Sequence, residues 1–197
     1  GLVTATAPFE GLDLADYSDL VVGGHDIRKG PLAAEAHRMW AESRAIVPEL
    51  LDAANSFFAE TEARLRPGTV VGSGDRIKAL ADDSAAVIVE TPREAVARAQ
   101  ADIEAFARAE KLDRVVVVNV ASTEPPPDRP IPTDPDELDR LLDAPAACPL
   151  PSSSLYFLSA IGAGASYVNF TPSAGGTPAA LQRLALDRGI PHAGCDA

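Results

Sequence analysis

Short apolar runs alternate along this chain with longer stretches in which apolar residues recur every three or four positions. The first run, Leu20-Val21-Val22, is opened by Ser18-Asp19 and closed by Gly23-Gly24. It predicts a strand that ends where the backbone can bend sharply or be approached closely. Pro31 suits the first turn of a helix, in which Leu32, Ala36, Met39 and Trp40 share one side. Pro48 starts a second helix, whose stripe of Leu50, Leu51, Ala54, Phe57, Phe58, Thr61 and Leu65 ends at Arg66-Pro67-Gly68. From 69 to 90 the pattern weakens. Thr69-Val70-Val71 reads as a short strand, Gly72-Ser73-Gly74-Asp75 as a turn, and Val87-Ile88-Val89 as β-rich but short. Residues 31–90 therefore read as a largely helical insertion between the main strands.

The signals then sharpen. Thr91-Pro92-Arg93-Glu94 has the form of a capping box with proline at the first helical position, predicting a helix from Pro92 to about Lys111. Its stripe is Val96, Ala99, Ile103, Phe106 and Ala107. Val115-Val116-Val117-Val118 is β-branched throughout, without alternation, which predicts a strand buried on both faces of a parallel sheet. Asn119 to Glu124 and a proline-rich loop from Pro125 to Pro132 follow. Asp134-Pro135-Asp136-Glu137 opens a short helix, and Ser152-Ser153-Ser154 cap another that turns Leu155, Leu158 and Ile161 inward before Gly162 and Gly164. Tyr167-Val168-Asn169-Phe170 is a strand and Thr171 to Gly176 a loop. Thr177-Pro178 starts the last helix, with Gly189 at its C′ position, and Ile190 to Ala193 begins a final strand. This alternation implies crossover units: an α/β fold with a mostly parallel sheet flanked by helices.

Composition narrows the partners. The 197 residues fit one domain, or one and part of another. With 46% hydrophobic and only 5% aromatic residues, the core must be largely aliphatic. The net charge of −12 and the lack of any basic run argue against nucleic acid and anionic membrane as partners. An anionic small ligand stays open, because backbone N–H groups bind one locally. No segment approaches a membrane span and no export leader is visible, so the expected location is cytoplasmic, with Cys148 and Cys195 as reduced thiols. The chain begins with Gly1 and stops at Ala197 just after an expected strand, so both ends look cut.

Ligands of open parallel sheets bind at the carboxyl ends of the strands. Three strands end there in polar clusters: Ala121-Ser122-Thr123-Glu124, Asn169-Phe170-Thr171-Pro172 and Gly194-Cys195-Asp196. The competing reading is that these residues merely cap the helices that follow. Gly23-Gly24-His25-Asp26 is a fourth candidate, either a carboxylate for ribose hydroxyls or an ordinary turn. Gly72-Ser73-Gly74 lacks the third glycine of a phosphate loop and reads as a turn. His192, Cys195 and Asp196 match no strong metal spacing, and no metal is expected. His25 and His37 read as surface or polar-core residues.

At these clusters the sequence resembles the inositol-1-phosphate synthase (inositol-3-phosphate synthase) family, in a bacterial style. Four blocks carry the resemblance in order: Asp19 to Ile27; Ile103 to Glu124, with the core VVVVNVASTE; Pro151 to Ser173; and Gly189 to Asp196. It implies a Rossmann-like sheet without its first strand. It also implies NAD as cofactor, glucose 6-phosphate as substrate, and an isomerisation by oxidation, enolisation, internal aldol closure and return of the hydride. Asp26 then matches a ribose-binding carboxylate. Ala121, Ser122 and Thr123 match one NAD-lining loop, and Asn169, Phe170 and Thr171 another. Asp196 matches the second acid of the family's Gly-Asp-Asp segment, here Gly-Cys-Asp, which leaves the role of Cys195 open. The family's glycine-rich loop would precede the first block. Its catalytic lysines and the part through which it forms tetramers would follow Ala197, so no catalytic residue is expected within the chain. Two other readings compete: a non-catalytic Rossmann-like nucleotide-binding module, and another NAD-dependent dehydrogenase.

Overall fold

The computed structural model describes residues 9, 11–12, 14–44, 47–82 and 88–194. Strands β1 (Gly24–Asp26) and β2 (Leu65–Pro67) pair in parallel as one small sheet. Strands β3 (Val116–Asn119), β4 (Ser166–Asn169) and β5 (His192–Ala193) form a second, also parallel, in the order β3-β4-β5. Helices α1 (Leu32–Ser43), α2 (Pro48–Ala53), α3 (Asn55–Ala63) and α4 (Asp75–Lys78) fall between β1 and β3. Helix α5 (Pro92–Glu110) leads to β3, α6 (Pro135–Leu141) and α7 (Ser152–Gly162) separate β3 from β4, and α8 (Ala179–Asp187) joins β4 to β5. The result is the parallel α/β arrangement that the alternating pattern predicts.

α5 starts where its sequence says it should. The Thr91 hydroxyl accepts from the Glu94 N–H at 3.2 Å while the Glu94 carboxylate accepts from the Thr91 N–H at 2.7 Å. The two groups thus satisfy each other's orphan donors. α7 is apolar on every side and buried accordingly, with Leu155, Phe157 and Ile161 almost wholly enclosed. Ala95 and Ala99 of α5 and Ala160 of α7 are small, which lets the two helices approach closely, and the Ser159 hydroxyl donates to the Val96 carbonyl. On the sheet side, Phe157 meets Tyr167 of β4 edge-on at 5.3 Å.

Several local expectations are corrected. The first strand is Gly24–Asp26 rather than Leu20–Val22, because its partner β2 offers only Leu65–Pro67 and the register pairs His25 with Arg66. The strand expected at Thr69–Val71 is a loop, and the helix expected to run from Pro48 to Leu65 breaks at Ala54. Val87 lies outside the described residues, and Ile88 and Val89 form no strand. The Val115–Val118 run is not buried on both faces. Val115 and Val117 pack on the core, whereas Val116 and Val118 are 56% and 48% exposed. Helices α7 and α8 cover one face of the β3-β4-β5 sheet, and among the described residues the other stays open. Among the described residues β1 and β3 are not bonded to each other, and each presents an edge that no other described strand pairs with.

Candidate functional site

β3 and β4 end in register, Asn119 opposite Asn169. The Asn119 amide donates to Asn169 Oδ1 at 3.0 Å and to Thr171 Oγ1 at 3.2 Å, and the Thr171 hydroxyl donates to the same Oδ1 at 2.8 Å. Asn169 Nδ2 in turn donates to the Ser173 carbonyl at 2.8 Å. A buried amide needs partners of this kind, and once fully paired it fixes the backbone around it. Next to it, the Glu124 N–H donates to Ser173 Oγ at 3.0 Å, and the Glu124 carboxylate accepts from the Ser153 N–H at 3.1 Å. A carboxylate is favoured in that place, where the first turn of α7 has free N–H groups. Ser153 Oγ accepts from the Gly175 N–H, and the Ser154 hydroxyl donates to the Gly175 carbonyl. Pro151 holds the N-cap position and the three serines lie within the first turn. They tie α7 to its neighbours instead of capping it.

The loop after β2 reaches the same place. Gly72 has φ +75°, and a Cβ there would stand 2.4 Å from the Leu150 carbonyl oxygen. Only glycine allows that approach. It seats the loop on the start of α7, where the Ser152 hydroxyl donates to the Val71 carbonyl at 2.6 Å and Gly74 faces Pro125. The Gly72–Gly74 segment is a packed turn. The loops that follow β2, β3 and β4 thus meet at one helix N-terminus, and the Asp26 carbonyl accepts from Gly68 N–H just past β2.

The residues singled out from the sequence divide into two groups on this base. Ala121, Ser122 and Thr123 are exposed, and among the described residues no hydrogen bond engages the Ser122 or Thr123 hydroxyl. Phe170 is 70% exposed, its N–H held by the Asn119 carbonyl. Asp26 is exposed at the end of β1, its carboxylate accepting a local bond from the Arg28 N–H at 2.9 Å. Asn169 and Thr171, by contrast, are buried and spent within the network, so they shape the loop that presents Phe170. Asp196 and Cys195 lie outside the described residues. Gly194, the last described position, has φ +90° and is pressed against Asn169: a Cβ would stand 2.1 Å from its carbonyl oxygen. Sequence reasoning missed Glu124 as the clasp and Ser153 and Ser173 as its partners. An acidic residue just past a strand was the available signal.

Beneath β1, His25 Nε2 stands 3.2 Å from Asp102 Oδ2 of α5, and its ring lies 5.3 Å from that of Tyr156. Burial pushes His25 below its ordinary value of 6.5, against the opposing pull of Asp102. Burial also pushes the Tyr156 hydroxyl up to about 12 while it accepts from the Thr69 N–H. A shallow groove of about 620 Å³ runs beside the tips of β3 and β4, between Pro127–Ile131 and Pro172–Ala179. Among the described residues no three His, Cys, Asp or Glu side chains lie close enough to hold a metal. Asp26 thus presents an exposed carboxylate at the end of β1, and the loops after β3 and β4 present the Ser122 and Thr123 hydroxyls and the Phe170 ring.

Residues 4–197 match the NAD-binding family model described as myo-inositol-1-phosphate synthase. Among curated proteins none matches. The fold is shared with inositol-3-phosphate synthase from Caenorhabditis elegans, at a TM-score of 0.80 and 20% identity over 96% of this chain and 36% of that one. A myo-inositol-1-phosphate synthase-related protein from Thermotoga maritima aligns at a TM-score of 0.56 and 17% identity, over 88% of this chain and 42% of that one. The chain thus spans well under half the length of either.

Proposed function

The chain belongs to the myo-inositol-1-phosphate synthase family, and from that premise we propose that it is the NAD-binding part of an enzyme converting D-glucose 6-phosphate to 1D-myo-inositol 3-phosphate. The observation that carries this reading is the gathering of strand ends at the N-terminus of α7, with Ala121 to Thr123 held outward by the Glu124 clasp. NAD is the cofactor of the matched domain. Once bound, it supplies a hydride acceptor that gives the hydride back within the same cycle, so the overall change is an isomerisation.

In this reading the Asp26 carboxylate accepts hydrogen bonds from a ribose. Ser122 and Thr123 offer hydroxyls and backbone N–H groups along the cofactor, and Phe170 supplies an apolar wall. Asn169 and Thr171 hold their loop in shape, and Asp196 is the acid that this reading assigns to the nicotinamide. Oxidation, enolisation, aldol closure and reduction of the sugar need catalytic lysines, assigned here to sequence following Ala197, together with a tetramer-forming part. Residues 31–90 are an insertion in the cofactor domain. The protein works in the cytoplasm, and among the described residues no helix is long and apolar enough to cross a membrane.

The test is release of inositol phosphate from glucose 6-phosphate with added NAD. The whole encoded protein is expected to release it without net NADH, and the 197-residue chain alone to bind NAD weakly and turn nothing over. Accumulation of NADH would instead identify a dehydrogenase.

A further inference from the structure

We propose that His25 and Asp102 form a positioning pair that sets where Asp26 stands, and through it how firmly the adenosine ribose of the cofactor is held. The inference rests on the reading of Asp26 as the ribose-binding carboxylate. β1 is three residues long and, among the described residues, pairs only with β2, so no backbone bond described there fixes its distance from β3. Side chains must do so. Gly24 has none and Asp26 is exposed, which leaves His25 as the one β1 side chain that reaches the helices.

His25 is 11% exposed and makes two contacts there: the hydrogen bond to Asp102 on α5 and the tilted ring contact with Tyr156 on α7. With Asp102 as a carboxylate, Nε2 carries the proton and donates. The same helices hold β2 and its following loop. Arg98, paired with Glu90 at 2.8 Å, donates to the Pro67 carbonyl at 2.7 Å, and the Thr69 N–H donates to the Tyr156 hydroxyl. α7 is also the helix whose first turn binds Glu124. A continuous set of contacts therefore runs from Asp26 through His25 and α7 to the Ala121–Thr123 loop, and the distance between the two parts of the site depends on it.

The experiment titrates NAD and its 2′-deoxyadenosine analogue into the whole encoded protein. Asp26→Asn is expected to bind NAD about tenfold more weakly and to lose the preference for NAD over the analogue. His25→Phe keeps a ring on Tyr156 but has no donor. It is expected to lose about fivefold for NAD and less than about twofold for the analogue. Asp102→Asn, which keeps the shape and weakens the acceptor, serves if His25→Phe does not fold, and is expected to lose NAD affinity in the same selective way. Equal losses for NAD and the analogue, or none, would show a role in packing alone and overturn the pair. If Asp26→Asn itself leaves the preference intact, the ribose reading falls first. If only Asp26→Asn alters the preference, that reading stands and the positioning pair falls.

Discussion

Asn169 does more for the site than its expected role as a cofactor contact. Its amide joins β3, β4 and the loop to Ser173, and Gly194 presses on its backbone. The sequence marked Asn169 and Thr171 as polar residues at the end of a strand, which was legible. That they face inward was not, because the groups packed on them, Asn119 of β3 and Gly194 beyond α8, lie far off in the sequence. His25 read from sequence as a lone surface or polar-core histidine, and it is the latter. Its partners Asp102 and Tyr156 lie 77 and 131 positions away, beyond any local pattern. Burial holds its folded value below 6.5, and Arg98 and Arg66 lower it further, while Asp102 acts the other way and the Tyr156 ring packs beside it. The folded state therefore binds fewer protons than the unfolded chain in that interval. The stability this group contributes is present above pH 6.5 and is lost as the pH falls through the folded value. Thermal melts between pH 7.5 and 5 are expected to show a falling Tm that is shallower in His25→Phe; parallel curves would remove His25 as the source.

Among the elements, those with local punctuation were read correctly. The α5 capping box is complete within four residues, so tertiary packing did not have to be known. Thr91→Ala should cost about 1 kcal/mol in urea melts, with Glu94→Ala of similar sign, since each group serves the other. No change in midpoint would mean that α5 is held by packing alone. Strands fared worse, because a strand lies where its partner is. Leu20–Val22 has the better β composition, yet β1 forms four residues later, opposite Leu65–Pro67. The four valines, in turn, do imply a strand designed for two covered faces. Among the described residues only the face carrying Val115 and Val117 meets helices, and the composition of the run cannot say which neighbours are present.

At the scale of the molecule, among the described residues the unpaired edges of β1 and β3, and the open face bearing Val116 and Val118, leave apolar surface and unpaired backbone in water. The 197-residue chain is therefore expected to unfold in urea at a low midpoint and to aggregate when concentrated; a cooperative transition at high urea would contradict this. What the molecule does keep is the meeting of its strand ends around α7, and the functional reading stands on that meeting. Amide hydrogen exchange of the whole encoded protein, with and without NAD, tests it most directly. NAD is expected to slow exchange together at Asp26–Arg28, Ala121–Glu124 and Phe170–Gly175. Protection confined to one of these segments, or found only elsewhere, would contradict a shared cofactor site.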